Sequence, residues 1–370
     1  MTESYIAITN GTVFTGETLI NDLAVLIKGT EVVDILPVAN IPSGSEMIDA
    51  EGGYISPGFI DLQIYGGGTK LFSAEPTRAA LDEISQALVT SGTTSYLITI
   101  ATNSMEIINE ALTVLQSYNH PALLGLHLEG PYLHPEKRGA HPEVYIRMPE
   151  KQEIQSLLER AGPSLRMMTI APERFDDEII DLLLRNGILL SAGHSNATFD
   201  EAVHGFRKGI RAVTHFFNAM SPFHHRNPGL PGATFQSDKV VASIIADGIH
   251  VDYQTLAISK RLLGSRLFLI TDAVVPVETG TYTHIFTGDR YTLPDGTLSG
   301  SALTMMQAVA NCVRHAGIPL VEALRMATSY PAALIGANDI GRIVAGATAN
   351  LVIFDSNYTV KNVFLEGVRQ

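Results

Sequence analysis

Through the middle of the chain, short apolar runs that end on polar residues alternate with segments whose apolar positions recur every three to four residues. Ile188–Ala192 and Ile210–Val213 are two such runs. Between them lies Phe199–Lys208, where Ala202, Val203 and Phe206 share one helical face, and Gly209 stops it. Strand, helix, strand is a βαβ unit. The first strand ends on Gly193-His194 and the second on Thr214-His215.

The same alternation predicts helices at Ala79–Ser91, Met105–Ser117 and Lys151–Ala161. It predicts strands at Thr94–Thr99, Leu123–Glu129, Arg166–Ala171, Val240–Asp247 and Leu267–Asp272. The stretch Tyr54–Asp61 opens the first buried strand, ahead of Gln63. Together with the two histidine strands this makes eight, and a (β/α)8 TIM-like barrel is the economical arrangement.

The ends of the chain read differently. Tyr5–Ile8, Asn10-Gly11 and Thr12–Phe14 read as a hairpin. Leu23–Ile27 and Glu31–Ile35 flank Lys28-Gly29, and Ala349–Phe354 and Val363–Gly367 close the chain. The expected fold class is therefore α/β: a barrel over 53–341 with a small β-sandwich built from 1–52 and 342–370.

Composition narrows the partners. With 45% hydrophobic and 17% charged residues in 370, the chain has the makeup of a packed globular protein. A net charge of −13 argues against nucleic acid or an anionic membrane. Cys312, the only cysteine, excludes an internal disulfide and suits a reducing compartment. It sits in an amphipathic helical pattern, as core filler. No signal peptide or membrane span is expected, so the expected location is cytoplasmic.

The strand ends carry the chemistry, because parallel α/β folds place their sites at the C-terminal ends of strands. His127-Leu128-Glu129-Gly130-Pro131, His194, His215, Asp247-Gly248-Ile249-His250 and Thr271-Asp272 all fall there. Glu129, His194 and His215 offer one carboxylate and two imidazoles, a set that suits a catalytic divalent ion: Zn²⁺ first, then Fe²⁺ or Mn²⁺. Asp272 is left free as general base and general acid.

Arg226, in the Pro/Gly-punctuated loop Ser221–Leu230, is a candidate anion fork. His141 follows Glu129 in a basic loop. Gly296-Thr297-Leu298-Ser299-Gly300-Ser301-Ala302 is a small-residue loop that permits close backbone approach, and a plain turn is equally compatible. Gly66-Gly67-Gly68 lacks the Lys-Ser/Thr of a phosphate loop.

Taken together, PGFID (57–61), HLEGP (127–131), GHS (193–195), THFFNAM (214–220), DGIH (247–250), TDA (271–273) and LSGSALTM (298–305) resemble the amidohydrolase superfamily. Within it they are similar to the N-acetylglucosamine-6-phosphate deacetylase family. The likeness spans nearly the whole chain and implies hydrolysis of an amino-sugar phosphate acetamide. It also implies metal ligation by Glu129, His194 and His215, and acid/base work by Asp272. His141 is implied to polarise the acetyl carbonyl. The implied substrate contacts are Ala140, His141, Asn218, Ala219, Arg226, His250, Leu298, Ser299 and Gly300. Arg226 is implied to reach the neighbouring subunit's site in a homodimer. Where many amidohydrolases carry His-x-His after PGFID, this chain has Gln63-Ile64-Tyr65, which predicts one metal ion per subunit. Rival readings are an N-acetylgalactosamine-6-phosphate deacetylase, a cyclic-amide hydrolase and a barrel without catalysis.

Overall fold

The computed structural model describes residues 4–277 and 280–370. Eight parallel strands pair in chain order. They are β1 (Phe59–Ile64), β2 (Thr93–Ala101), β3 (Leu123–Glu129), β4 (Leu165–Ile170), β5 (Leu189–Ala192), β6 (Ala212–Val213), β7 (Val241–Ile245) and β8 (Leu267–Ile270). Closure comes just past the strand ends. Asp272 N–H donates to the Gln63 carbonyl (3.0 Å) and Tyr65 N–H to that of Ala273 (3.0 Å). These bonds bring the end of the eighth strand against the first.

Helices separate the strands: α1 (Arg78–Thr90), α2 (Met105–Leu115), α3 (Lys151–Ala161), α4 (Asp177–Arg185), α5 (Phe199–Lys208), α6 (Gly229–Gln236), α7 (Tyr253–Leu263) and α8 (Met305–Arg314). The bounds of α5 match the sequence expectation because local chemistry sets both. Thr198 and Glu201 form a reciprocal capping box, and Gly209 ends the helix in the left-handed region at φ 117°. The core between strands and helices includes Leu81, Ile98, Leu112, Leu128, Met168, Leu183, Leu190, Ile244 and Leu269, all buried.

Two further sheets, drawn from both termini, form the sandwich. One has four strands (Ile6–Thr9, Leu23–Lys28, Glu31–Pro37, Glu46–Asp49). The other has six, combining Thr12–Phe14, Leu19–Ile20 and Tyr54–Pro57 with Leu351–Phe354, Val360–Leu365 and Val368–Arg369. Ile8, Val13, Val25, Ile27, Ile55, Leu351, Ile353 and Phe364 pack between them.

Two expectations are corrected. Ile6–Thr9 and Thr12–Phe14 do not pair with each other; each joins a different sheet. Asn10, at φ 56°, directs its amide to Asp49 (2.7 Å) and its carbonyl to Gly52 N–H (2.7 Å), so this turn switches sheets instead of closing a hairpin. Each strand thereby buries its own apolar face in the sandwich. Second, Tyr54–Pro57 pairs with Leu351–Phe354 and Thr12–Phe14, so the barrel begins only at Phe59.

Gly58 is the joint between the two sheets. A Cβ there would lie 2.0 Å from Thr94 Oγ1 and 2.5 Å from its Cγ2, both in β2. Thr94 is buried, so the clash has no outlet. Gly58→Ala is expected to destabilise the protein by about 1–3 kcal/mol, as overpacking does. Chemical denaturation checks this, and an unchanged midpoint would show that β2 yields.

Candidate metal centre and substrate cavity

Every residue assigned to the metal or to acid/base work stands at or within two residues of a strand's C-terminal end. Glu129 ends β3, His194 and His215 follow β5 and β6, and Asp272 follows β8. Three of the four occupy backbone conformations that side chains rarely adopt: φ is 48° at His194, 31° at His215 and 55° at Asp272. Phe217 (77°) and Ala219 (48°) add to the cluster. Such strain persists where surrounding bonds over-determine it.

The surrounding bonds are present here. Ser195 N–H donates to Ala219 O (3.2 Å) and Ser221 N–H to Ser195 O (2.9 Å), tying the two histidine loops together. Glu173 accepts from Ser195 Oγ (2.7 Å) and Asn196 N–H (2.6 Å). His215 N–H is held by Ser243 Oγ on β7 (2.8 Å).

The ring nitrogens then converge. His194 Nε2 and His215 Nε2 are 3.0 Å apart, and Glu129 Oε1 lies 3.4 and 3.1 Å from them. Ligand atoms bound at roughly 2.0–2.1 Å around a tetrahedral ion lie about 3.3 Å from one another. Three buried ligand atoms at that spacing fit a divalent ion. Glu129, His141 and His194 likewise offer atoms within 4.8 Å of one another.

Hydrogen bonds at the far ring nitrogens separate the two sets. His194 Nδ1–H donates to the Lys137 carbonyl (2.8 Å), which leaves the Nε2 lone pair for a metal. His141 Nδ1 instead accepts from Thr102 N–H (3.3 Å), so its proton is on Nε2, which faces Glu129 Oε2 at 3.2 Å. That tautomer leaves His141 Nε2 carrying a proton and not a free lone pair. His215 Nδ1 is buried with no hydrogen-bond partner among the described residues. His127 is structural: its ring spans Leu62 O (3.0 Å) and Thr169 Oγ1 (2.8 Å), and burial pushes its pKa down to about 4.

Gln63 occupies the place between the two carboxylates. Its Nε2 is 3.0 Å from Glu129 Oε1, 2.7 Å from Asp272 Oδ1 and 2.9 Å from Tyr65 Oη. The Tyr65 hydroxyl also donates to Glu129 Oε2. N–H and O–H donors thus fill the space where a second ion would need lone pairs, while Gln63 Oε1 is left without a partner among the described residues. Burial opposes ionisation of Glu129, but His194, His141 and His215 outweigh it and hold its carboxyl well below the usual range. Burial raises Asp272 well above that range, with His215 opposing and the Glu129 charge adding to the rise. A carboxyl shifted in this direction is suited to take up a proton and release it again.

Tyr65, Glu129, His141, His194, His215 and Asp272 line one cavity of about 450 Å³, a size suited to a small sugar phosphate. Ala140, Asn218, Ala219, His250, Leu298, Ser299 and Gly300 line it too. The Leu298–Gly300 segment is more than a turn. Ser301 N–H donates to Asp272 O (2.8 Å), and a Cβ on Gly300 would lie 2.9 Å from that same oxygen. Close approach to the Asp272 backbone therefore requires glycine.

Arg226 is the residue that the fold does not bring in. It is exposed and outside the cavity of its own chain. Conversely, sequence reasoning missed Tyr282 and His284. Tyr282 meets His141 edge-on (6.3 Å, 88°) and donates to Thr102 O (2.7 Å). His284 touches Ser299 Oγ (3.1 Å), and burial pushes its pKa down to about 4. The alternating Thr281-Tyr282-Thr283-His284 pattern beyond Asp272 was the available signal.

Comparison with known proteins agrees with this geometry. The Amidohydrolase family profile matches residues 54–369, and the NagA composite domain matches 5–55. The N-acetylglucosamine-6-phosphate deacetylase of Haemophilus influenzae is 36% identical, covering 98% of both chains. The N-acetylgalactosamine-6-phosphate deacetylase of Shewanella sp. is 34% identical over 85% of this chain and 82% of its own. Among solved structures, the Pasteurella multocida N-acetylglucosamine-6-phosphate deacetylase superposes with a TM-score of 0.94 at 35% identity, covering 99% of both chains. A Mycobacterium smegmatis mutant enzyme in complex with N-acetyl-D-glucosamine-6-phosphate gives 0.93 at 29% identity, again over 99% of both. In sequence and in structure, the chain belongs to the amidohydrolase family and, within it, to the N-acetylglucosamine-6-phosphate deacetylases.

Proposed function

We propose that the protein hydrolyses N-acetyl-D-glucosamine 6-phosphate to D-glucosamine 6-phosphate and acetate. The observation that carries this reading is the convergence of Glu129, His194 and His215 on one point, with Asp272 held beside them through Gln63. The family implies a divalent metal ion. Glu129, His194 and His215 would hold one ion, Zn²⁺ best by donor type, with Fe²⁺ or Mn²⁺ as alternatives. Bound there, it would supply a Lewis acid that acidifies water and polarises the acetyl carbonyl.

Asp272 then accepts the proton of the attacking water and returns it to the departing amine. His141 Nε2–H donates to the carbonyl oxygen as negative charge develops. Gln63 keeps Asp272 and Glu129 in register through one amide. Ala140, Asn218, Ala219, His250 and the Leu298–Gly300 segment enclose the sugar. A barrel without catalysis would have lost one of these groups, and none is missing.

Among the described residues, the cavity is lined by one lysine, Lys137, and no arginine, which is little charge for a phosphate. We take Arg226 to enter from a neighbouring copy in a homodimer. Phe223 on the same loop is 61% exposed, as a buried contact of that dimer would be in one isolated chain. Among the described residues no helix is long and apolar enough to cross a membrane, and Cys312 is buried and unpaired. We place the enzyme in the cytoplasm, and take sandwich and barrel as two domains joined at Gly58.

Acetate release from N-acetylglucosamine 6-phosphate, its galactosamine epimer and unphosphorylated N-acetylglucosamine tests the reading. The phosphorylated glucosamine substrate is expected to exceed the phosphate-free sugar by about 100-fold or more in kcat/KM, the value of charge-assisted contacts to phosphate. Equal rates on both would remove the role given to Arg226. Preference for the epimer would favour the function named for the Shewanella relative.

A further inference from the structure

A second carboxylate–imidazole pair stands apart from the metal cluster. Asp247, two residues past β7, accepts from His250 Nδ1–H at 2.6 Å through Oδ2. Its other oxygen, Oδ1, accepts from the backbone N–H groups of Ile249 (2.8 Å) and His250 (2.8 Å). Both side chains are more than nine-tenths buried, at 8% and 7% exposed. The carbonyl of Ala246, just before the pair, is fixed by Asn311 Nδ2 of α8 (2.8 Å).

The two residues face different ways. His250 lines the substrate cavity, whereas Asp247 lines a separate cleft of about 430 Å³ with Tyr253, Asp289 and Arg290. Arg290 is engaged by Asp289 (2.7 and 2.9 Å) and makes no ion pair with Asp247. The charge on Asp247 is therefore spent on His250 and its loop. Burial opposes that charge, but the bond to His250 and the two backbone donors hold the carboxyl below its usual range. The Asp247 bond is made by His250 Nδ1, and Nε2 on the opposite edge of the ring takes no part in it.

We propose that Asp247 is a positioning residue that fixes the ring of His250 so that Nε2–H donates to the phosphate of the substrate. The proposal rests on the sugar-phosphate reading above. A phosphate oxygen at Nε2 completes a row of carboxylate, imidazole and phosphate, with one acceptor at each ring nitrogen. Among the described residues, Lys137 is the only lysine or arginine that the same chain adds to the cavity wall. Asp247 itself touches neither substrate nor metal.

The test is Asp247→Asn, which keeps the size and an oxygen for the loop N–H groups but removes the charge behind the ring. With metal-loaded enzyme, KM for the phosphorylated acetylated sugar is expected to rise about tenfold while kcat stays within about threefold. The preference in kcat/KM for phosphorylated over phosphate-free sugar is expected to fall by about the same factor. Inorganic phosphate, titrated calorimetrically, should bind about tenfold more weakly to the variant than to the parent. Equal losses on both sugars would reveal a structural role only and overturn the proposal. So would a variant indistinguishable from the parent, or a parent that neither binds phosphate nor prefers a phosphorylated sugar. If the parent binds phosphate but deacetylates neither sugar, the functional reading fails, and the phosphate titration still decides the role of Asp247.

Discussion

Asp272→Asn is expected to reduce kcat by about 10²–10⁴-fold, the usual contribution of a positioned proton-transfer group, while the metal content of the protein is unchanged. The asparagine keeps the shape and an oxygen for Gln63 Nε2, 2.7 Å away in the parent, so the amide bridge to Glu129 has no reason to break. What disappears is the capacity to take a proton from water and give it to the amine, both of which pass through this one carboxyl. Steady-state acetate release together with elemental analysis of the purified variant measures the two quantities. Activity within tenfold of the parent would remove Asp272 from the reaction. Loss of the metal would place it in the ligand set instead.

The second large effect separates His194 from His141. Both rings lie beside Glu129, at 3.4 and 3.2 Å, and by distance alone either could be a ligand. Their backbone partners assign opposite tautomers. The Lys137 carbonyl takes the Nδ1 proton of His194, and the Thr102 N–H occupies the Nδ1 lone pair of His141. His194→Ala is therefore expected to weaken metal binding by more than about 100-fold, beyond what loss of an outer-shell partner costs. His141→Ala should retain the ion and lose about 10²–10³-fold in kcat, as removal of an oxyanion donor does. Metal retained after dialysis against a chelator discriminates them. The reverse pattern would make His141 the ligand and leave His215 outside the set.

Much of the barrel was readable residue by residue. Leu123–Glu129 and Lys151–Ala161 fall where the apolar period places them. The capping box at Thr198 and Glu201 fixes α5 without help from the rest of the fold. Elements that depend on distant partners were less legible. The strand expected at Ile210–Val213 is only Ala212–Val213, because pairing with β5 and β7 reaches just those two residues. The turn at Asn10-Gly11 carries a strong hairpin signal, yet burying Ile8 and Val13 in the sandwich core sends the two strands into different sheets. The substrate cavity shows the same division. Residue types at strand ends announced Glu129, His194, His215 and Asp272, whereas Tyr282 and His284 arrive on a segment that folds back over the barrel mouth.

The sequence by itself determined the period of each element, the polar group closing each barrel strand, and the absence of a second histidine pair at Gln63 and Tyr65. These are local properties, set by side-chain type and spacing, and they are present before the chain folds. Only the tertiary structure decided which ring nitrogen of each histidine is free. It also decided that Gln63 bridges two carboxylates, Glu129 at the end of β3 and Asp272 just past β8, and that Arg226 lies outside its own cavity. Those outcomes depend on contacts between segments tens to hundreds of residues apart. A proton on one nitrogen rather than the other is chosen by whichever backbone group the closed barrel brings within about 3 Å.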